Sequence, residues 1–179
     1  MNLENIFSTE ERIIIIKSII YLEKEFGVNE IATKSKLSKG LVSKYFDILL
    51  KENILRKANK KFLVGDNNNI RSLKILFNIQ KIDTGIFKRY GFVKSVGLYG
   101  SCAKGTNTEE SDIDLWIKIE NSTRENTMQL TSSLLKVAEN MKVLVLDNKK
   151  LELLKEENPL FYHSLYFGSI ILYGKENEI

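Results

Sequence analysis

The stretch that most restricts what this chain can fold into reads GLYGSCAKGTNTEESDIDLWIKI. An apolar run ends in Gly100-Ser101, and ten residues later Asp112-Ile113-Asp114 opens a second apolar run. Side chains alternate along a β-strand, so Asp112, Asp114 and Trp116 are expected on one face, with Ile113, Leu115 and Ile117 on the other. The apolar face then supplies a core without the aspartates. Two like charges on one face repel unless a cation lies between them, and Mg²⁺ favours a few carboxylate oxygens together with substrate phosphates. A Gly-Ser turn at a strand end can offer backbone N–H groups and a hydroxyl to a phosphate. Together these features point to nucleotidyl transfer.

The pattern resembles the GS-x10-DxD signature of the DNA polymerase β-like nucleotidyltransferases, in particular their small prokaryotic members. Leu98-Tyr99-Gly100-Ser101, Ala103-Lys104-Gly105 and Ser111-Asp112-Ile113-Asp114-Leu115 carry the resemblance. It implies that Gly100 and Ser101 hold the phosphates of ATP or another nucleoside triphosphate, with Lys104 beside them. Asp112 and Asp114 are implied to be catalytic and to bind Mg²⁺. Active members of the family usually carry a third carboxylate on the strand beside the DxD strand. Here the corresponding position is Leu144, and Asp147 is expected to cap the next helix instead. Minimal members often act as antitoxins that adenylylate a HEPN-domain toxin, which makes such a toxin the implied partner.

The chain has 179 residues and is 43% hydrophobic, enough for one large or two small cores. No apolar run approaches the length of a membrane span, the N-terminus lacks a signal-peptide pattern, and Cys102 is the single cysteine. A cytoplasmic protein without membrane contact is therefore expected. The net charge of +4 is unevenly spread. Residues 34–61 hold nine basic and two acidic side chains, a local +7 that leaves −3 for the rest. Such a block attracts phosphate backbones.

That block has a fold context. Ser8 and Glu11 are spaced as a capping box for a helix ending near residues 26–27. Further helices are expected over 29–35 and, capped by Ser38, over 39–52, where Val42, Phe46, Leu49 and Leu50 form an apolar stripe. Extended runs follow at 54–56 and 61–64, with residues 58–60 as a hairpin tip. The segments Glu30-Ile31-Ala32, Leu37 to Tyr45 and Leu55 to Phe62 resemble a winged helix-turn-helix. The resemblance implies binding of double-stranded DNA, with Lys39, Ser43 and Lys44 on the helix that enters the groove and Lys57 and Lys60 on flanking phosphates. A module used only for protein contact or dimerisation has the same pattern.

The expected organisation is α+β. Residues 1–66 form the winged helix-turn-helix, 67–91 are linker helices, and 92–179 form a small mixed-sheet α/β nucleotidyltransferase domain. A helix over 70–81 joins the domains or forms a homodimer. A helix over 83–90 is followed by strands at 92–99, 113–119 and 141–146, and by a capped helix from residue 122 to about 140. Asn158-Pro159 is expected to close a helix begun after Asp147, and His163 is expected to be a surface or core-edge residue. Two function classes stay open: an enzyme that adenylylates a protein partner, or a transcriptional regulator whose nucleotide-binding domain is weak or inactive.

Overall fold

The computed structural model describes residues 1–138 and 140–175. Chain contacts divide it into two compact units, Met1–Phe77 with Asn107–Glu109, and Asn78–Thr106 with Glu110–Ile179. Among the described residues the fold is a mixture of helices and sheet, and no helix is long and apolar enough to cross a membrane.

The first unit begins with a short helix α1 (Leu3–Phe7), which the sequence pattern did not announce. Ser8 closes α1, so the cap of α2 (Glu10–Ile19) falls to Thr9, whose hydroxyl accepts the Arg12 N–H. The Ser8 side chain instead accepts from the Arg12 guanidinium. α2 also stops earlier than its apolar spacing suggests. The chain leaves the helix after Ile20 and carries Phe26 into the core, where it makes an antiparallel bridge with Phe62. Phe26, Phe46 and Phe62 pack edge to face at 4.8–5.7 Å.

α3 (Val28–Ser35) ends at Lys36, which adopts the left-handed conformation. Ser38 then caps α4 (Lys39–Lys51) by accepting the Leu41 N–H, and Val42, Tyr45, Phe46 and Leu49 form its buried stripe. Tyr45 also spends its hydroxyl on the Ile6 carbonyl, tying α4 to α1. The strands β1 (Leu55–Ala58) and β2 (Lys61–Val64) make a two-stranded antiparallel hairpin. Its tip is Asn59-Lys60, with Asn59 at φ 54°, a conformation Asn tolerates better than most residues. The helix α5 (Asn68–Gln80) buries Ile70, Leu73 and Phe77 against this first core.

In the second unit, a 3₁₀ turn over Thr84–Arg89 stands where a helix was expected, and it is capped by Asp83. The sheet consists of β3 (Val93–Tyr99), β4 (Ile113–Ile119), β5 (Met141–Leu146) and β6 (Ile170–Tyr173), in the spatial order β5-β4-β3-β6. β3 runs antiparallel to both β4 and β6, whereas β4 and β5 are parallel. Between β3 and β4 lies a one-turn helix α6 (Gly100–Lys104). The parallel pair requires a crossover, supplied by α7 (Arg124–Val137), with Thr123 as its cap.

Both faces of the sheet are covered. One face packs Val96, Leu98, Leu115 and Ile117 with Leu130 and Leu134 of α7. The other packs Trp116 and Leu146 under α8 (Asn148–Glu157) and α9 (Pro159–Gly168), through Leu151 and Leu165. Trp116 is therefore fully buried, and its indole N–H donates to Ser169 Oγ at 2.8 Å. Asp147 caps α8 by accepting the Lys150 N–H. Pro159 does not merely end α8. It opens α9 in the first turn, where its missing N–H costs nothing, with Asn158 as the cap.

Candidate active site

β3 and β4 are the central strands and antiparallel neighbours with Tyr99 opposite Asp114, so the end of β3 and the start of β4 meet at one end of the sheet. Gly100 follows Tyr99 directly and has φ +68°, which a residue with a side chain adopts only with strain. A β-carbon at Gly100 would stand 2.5 Å from Asp114 Oδ2. Glycine is needed here twice over, for its backbone conformation and for the close approach of the turn to the carboxylate.

The turn is fixed from behind. Gly105, at φ +68°, ends α6, and the N–H groups of Gly105 and Thr106 both bond to the Ser101 carbonyl. The buried Asn78 donates through its side-chain amide to the Cys102 carbonyl at 2.9 Å. The Cys102 thiol reaches the Asp112 carbonyl at 3.4 Å, linking α6 to the segment that carries the first aspartate. Burial pushes that thiol above its ordinary pKa, which suits a structural role.

The DxD segment is clamped from the other side by Asn140. Its carbonyl accepts the Ile113 N–H at 3.0 Å, and its side-chain amide donates to the Ser111 carbonyl at 2.9 Å. Asp112 precedes the strand and Asp114 lies within it. Asp114 has its pKa raised above the ordinary aspartate value, chiefly by burial; Lys142 opposes the shift and the Asp112 charge adds to it. Burial and the Asp114 charge likewise raise Tyr99. These directions describe two carboxylates crowded at the end of a sheet.

Lys142 is the residue that sequence reasoning passed over. It stands beside Asp114 in the parallel β4–β5 register, and its ammonium contacts Asp112 Oδ2 at 2.5 Å. Its own pKa is raised by the hydrogen bond and charge of Asp112. The signal was available, because Lys142 is the one charged residue in an otherwise apolar strand and shares the parity of Leu144.

Residues 80–178 match the family described as polymerase beta, nucleotidyltransferase. The chain belongs to this family. Similar solved structures include a toxin-antitoxin with AMP-PNP, at 16% identity and TM-score 0.42, covering 56% of this chain and 77% of that one. A putative nucleotidyltransferase from Sulfolobus solfataricus has 16% identity and TM-score 0.41, covering 63% and 94%. A tri-AMPylated Shewanella oneidensis HEPN toxin in complex with MNT antitoxin has 12% identity and TM-score 0.34, covering 60% and 76%. No curated protein matches the sequence.

Within the nucleotidyltransferase unit, the structure brings Gly100, Asp112 and Asp114 together; Ser101 follows Gly100 in the first turn of α6. Lys104 lies exposed in the last turn of α6, where a cation also complements the helix end. Leu144, where a third carboxylate was expected, is paired with Trp116 and packs with it in an apolar cluster. Among the described residues, no three His, Cys, Asp or Glu side chains are grouped so as to hold a metal. Asp112 and Asp114 offer oxygen donors of the class that would suit a hard divalent ion. His163 is exposed and stacks on Phe167.

The expected DNA contacts belong to the first unit. Lys39, Ser43 and Lys44 are exposed on α4, Lys57 is exposed on β1, and Lys60 is exposed at the hairpin tip. Lys39 and Ser43 are one helical turn apart and share a face.

Proposed function

We propose that this chain transfers AMP from ATP to a hydroxyl of a protein partner, a HEPN-type toxin, and that its first unit is a winged helix-turn-helix that binds double-stranded DNA. The observation that carries the transfer reading is the packing of the Gly100 turn against Asp114, beside Asp112. It sets a tight backbone turn next to two carboxylates at one end of the sheet.

In this reading Asp112 and Asp114 hold Mg²⁺. Bound there, the ion supplies charge neutralisation at the triphosphate and lowers the pKa of the acceptor hydroxyl. The first-turn N–H groups of α6, which lack intrahelical acceptors, and the Ser101 hydroxyl bind phosphate oxygens. Lys104 adds positive charge beside them. In the transfer the acceptor oxygen bonds to the α-phosphorus and pyrophosphate leaves. Asn78, Cys102 and Asn140 do not touch substrate; they hold the turn and the aspartates in place. A protein acceptor is favoured by α9, which covers the site-bearing face of the sheet while leaving Leu160 84% and Phe167 78% exposed.

A second reading, a DNA-binding regulator with a weak or inactive nucleotide site, is favoured by Leu144 at the third-carboxylate position. The discriminating experiment is Mg²⁺-dependent labelling of co-purified partner protein by α-labelled ATP. Labelling that disappears in Asp112→Ala/Asp114→Ala supports transfer at this site. Labelling that persists in the double variant overturns the assignment, and a bound but unlabelled partner favours the regulator.

A further inference from the structure

The two aspartates already have a cation. Lys142 approaches Asp112 at 2.5 Å, stands in register beside Asp114, and lies on the strand where the family places its third carboxylate. The site thus carries two negative charges and one positive charge, where three carboxylates would carry three negative ones. The ion pair is also open to solvent. The Lys142 side chain is 68% exposed and that of Asp112 39%. A lysine stem is flexible, so its ammonium can leave a carboxylate without moving the backbone.

We propose that Lys142 is a tethered counter-ion of Asp112 and Asp114 that a divalent cation has to displace, so that the chain binds metal weakly alone and well only together with a nucleoside triphosphate. This rests on the nucleotide-site reading above and deepens it. A free divalent ion and the ammonium compete for the same oxygens, and the displaced ammonium then faces water. When the ion arrives with a triphosphate, the displaced ammonium has phosphate oxygens to pair with instead. The lysine therefore couples metal binding to nucleotide binding, in a site whose carboxylates alone are too few to hold an ion tightly.

The test measures Mn²⁺ affinity from the electron paramagnetic resonance signal of the free ion, with and without a non-hydrolysable ATP analogue. The chains compared are wild type, Lys142→Met, Lys142→Arg and Asp112→Asn/Asp114→Asn. Lys142→Met is expected to bind Mn²⁺ alone about three- to tenfold more tightly than wild type, as for loss of one nearby, partly screened charge. Lys142→Arg should resemble wild type. With the analogue present, the advantage of Lys142→Met should shrink or reverse. Equal or weaker Mn²⁺ binding by Lys142→Met, with binding lost in the double aspartate variant, overturns the counter-ion role and leaves the nucleotide site standing. Mn²⁺ binding that survives in the double aspartate variant overturns the site itself, and the counter-ion with it.

Discussion

Asp114 shows how a single side chain can be placed against the interest of the fold. It is an acid whose pKa in the folded chain is raised, mainly by burial, so the folded state holds its proton more tightly than the unfolded state does. The sign follows from this. The group is neutral in both states below the ordinary value of 3.8, and as pH rises through 3.8 toward the folded value, folding loses stability. Above that value the cost is constant. Asp114→Asn removes the titration, so its melting temperature should equal that of wild type at about pH 3 and exceed it at pH 7. The gain is at most about 2 °C, because the carboxylate is partly exposed and screened. Melting curves across this pH range check it, and parallel profiles would show that Lys142 already cancels the burial cost. The same variant should lose metal-dependent nucleotide binding, which is the usual trade between a strained site and a relaxed fold. Much of this site could be read from residue order alone, because Gly100, Asp112 and Asp114 are placed by strand geometry. Lys142 could not be read as readily. The family resemblance puts residues 141–146 beside the DxD strand, but the register that sets Lys142 beside Asp114 is a tertiary pairing that an apolar run leaves undetermined.

At the level of elements, the sheet is held together by a small-to-large pairing across two strands. Gly97 of β3 lies opposite Trp116 of β4, and the fully buried indole occupies the space that a β-carbon at Gly97 would need. Tyr99, two residues on in β3, and Asp114, two residues back in β4, pair in the same register. Gly97→Ala should therefore destabilise the second unit by about 1–3 kcal/mol through overpacking. Urea unfolding followed by Trp116 fluorescence, from the sole tryptophan of the chain, measures it. A loss below about 0.5 kcal/mol, comparable to a neutral surface change, would show that the ring can move aside. The same elements show where local patterns succeed. β4 and β5 have the expected bounds because short apolar runs and flanking polar residues mark both ends. α6 was read as a bare turn, since five residues carry no helical period. Trp116 was grouped with the aspartates by parity, correctly, but its burial under α8 and α9 is a tertiary fact that strand alternation does not contain. α2 was read too long because its apolar residues continue past Ile20 for a different purpose, the Phe26–Phe62 bridge.

Over the whole molecule, charge is partitioned along the chain. Residues 34–61, all within the first unit, hold nine basic residues against two acidic ones, whereas the residues outside this block carry −3 together. Within that block the five candidate DNA contacts are all exposed, although the fold could have buried the stems of some of them against apolar surface. Phosphate contacts release condensed counterions, so binding through such a block must weaken steeply with salt, and the steepness counts the contacts. Lys39→Ala/Lys44→Ala leaves the Ser38 cap and the buried stripe of α4 intact, so the first unit should remain folded. Its affinity for a labelled duplex should fall by about tenfold at roughly 0.1 M salt, and the slope of log affinity against log salt should become shallower by about one to two units. Fluorescence anisotropy titrations at several salt concentrations measure both quantities at once. An unchanged affinity and slope would remove α4 from the interface. A slope near zero in the wild type would mean that the basic block serves a protein partner and that duplex DNA is not its ligand.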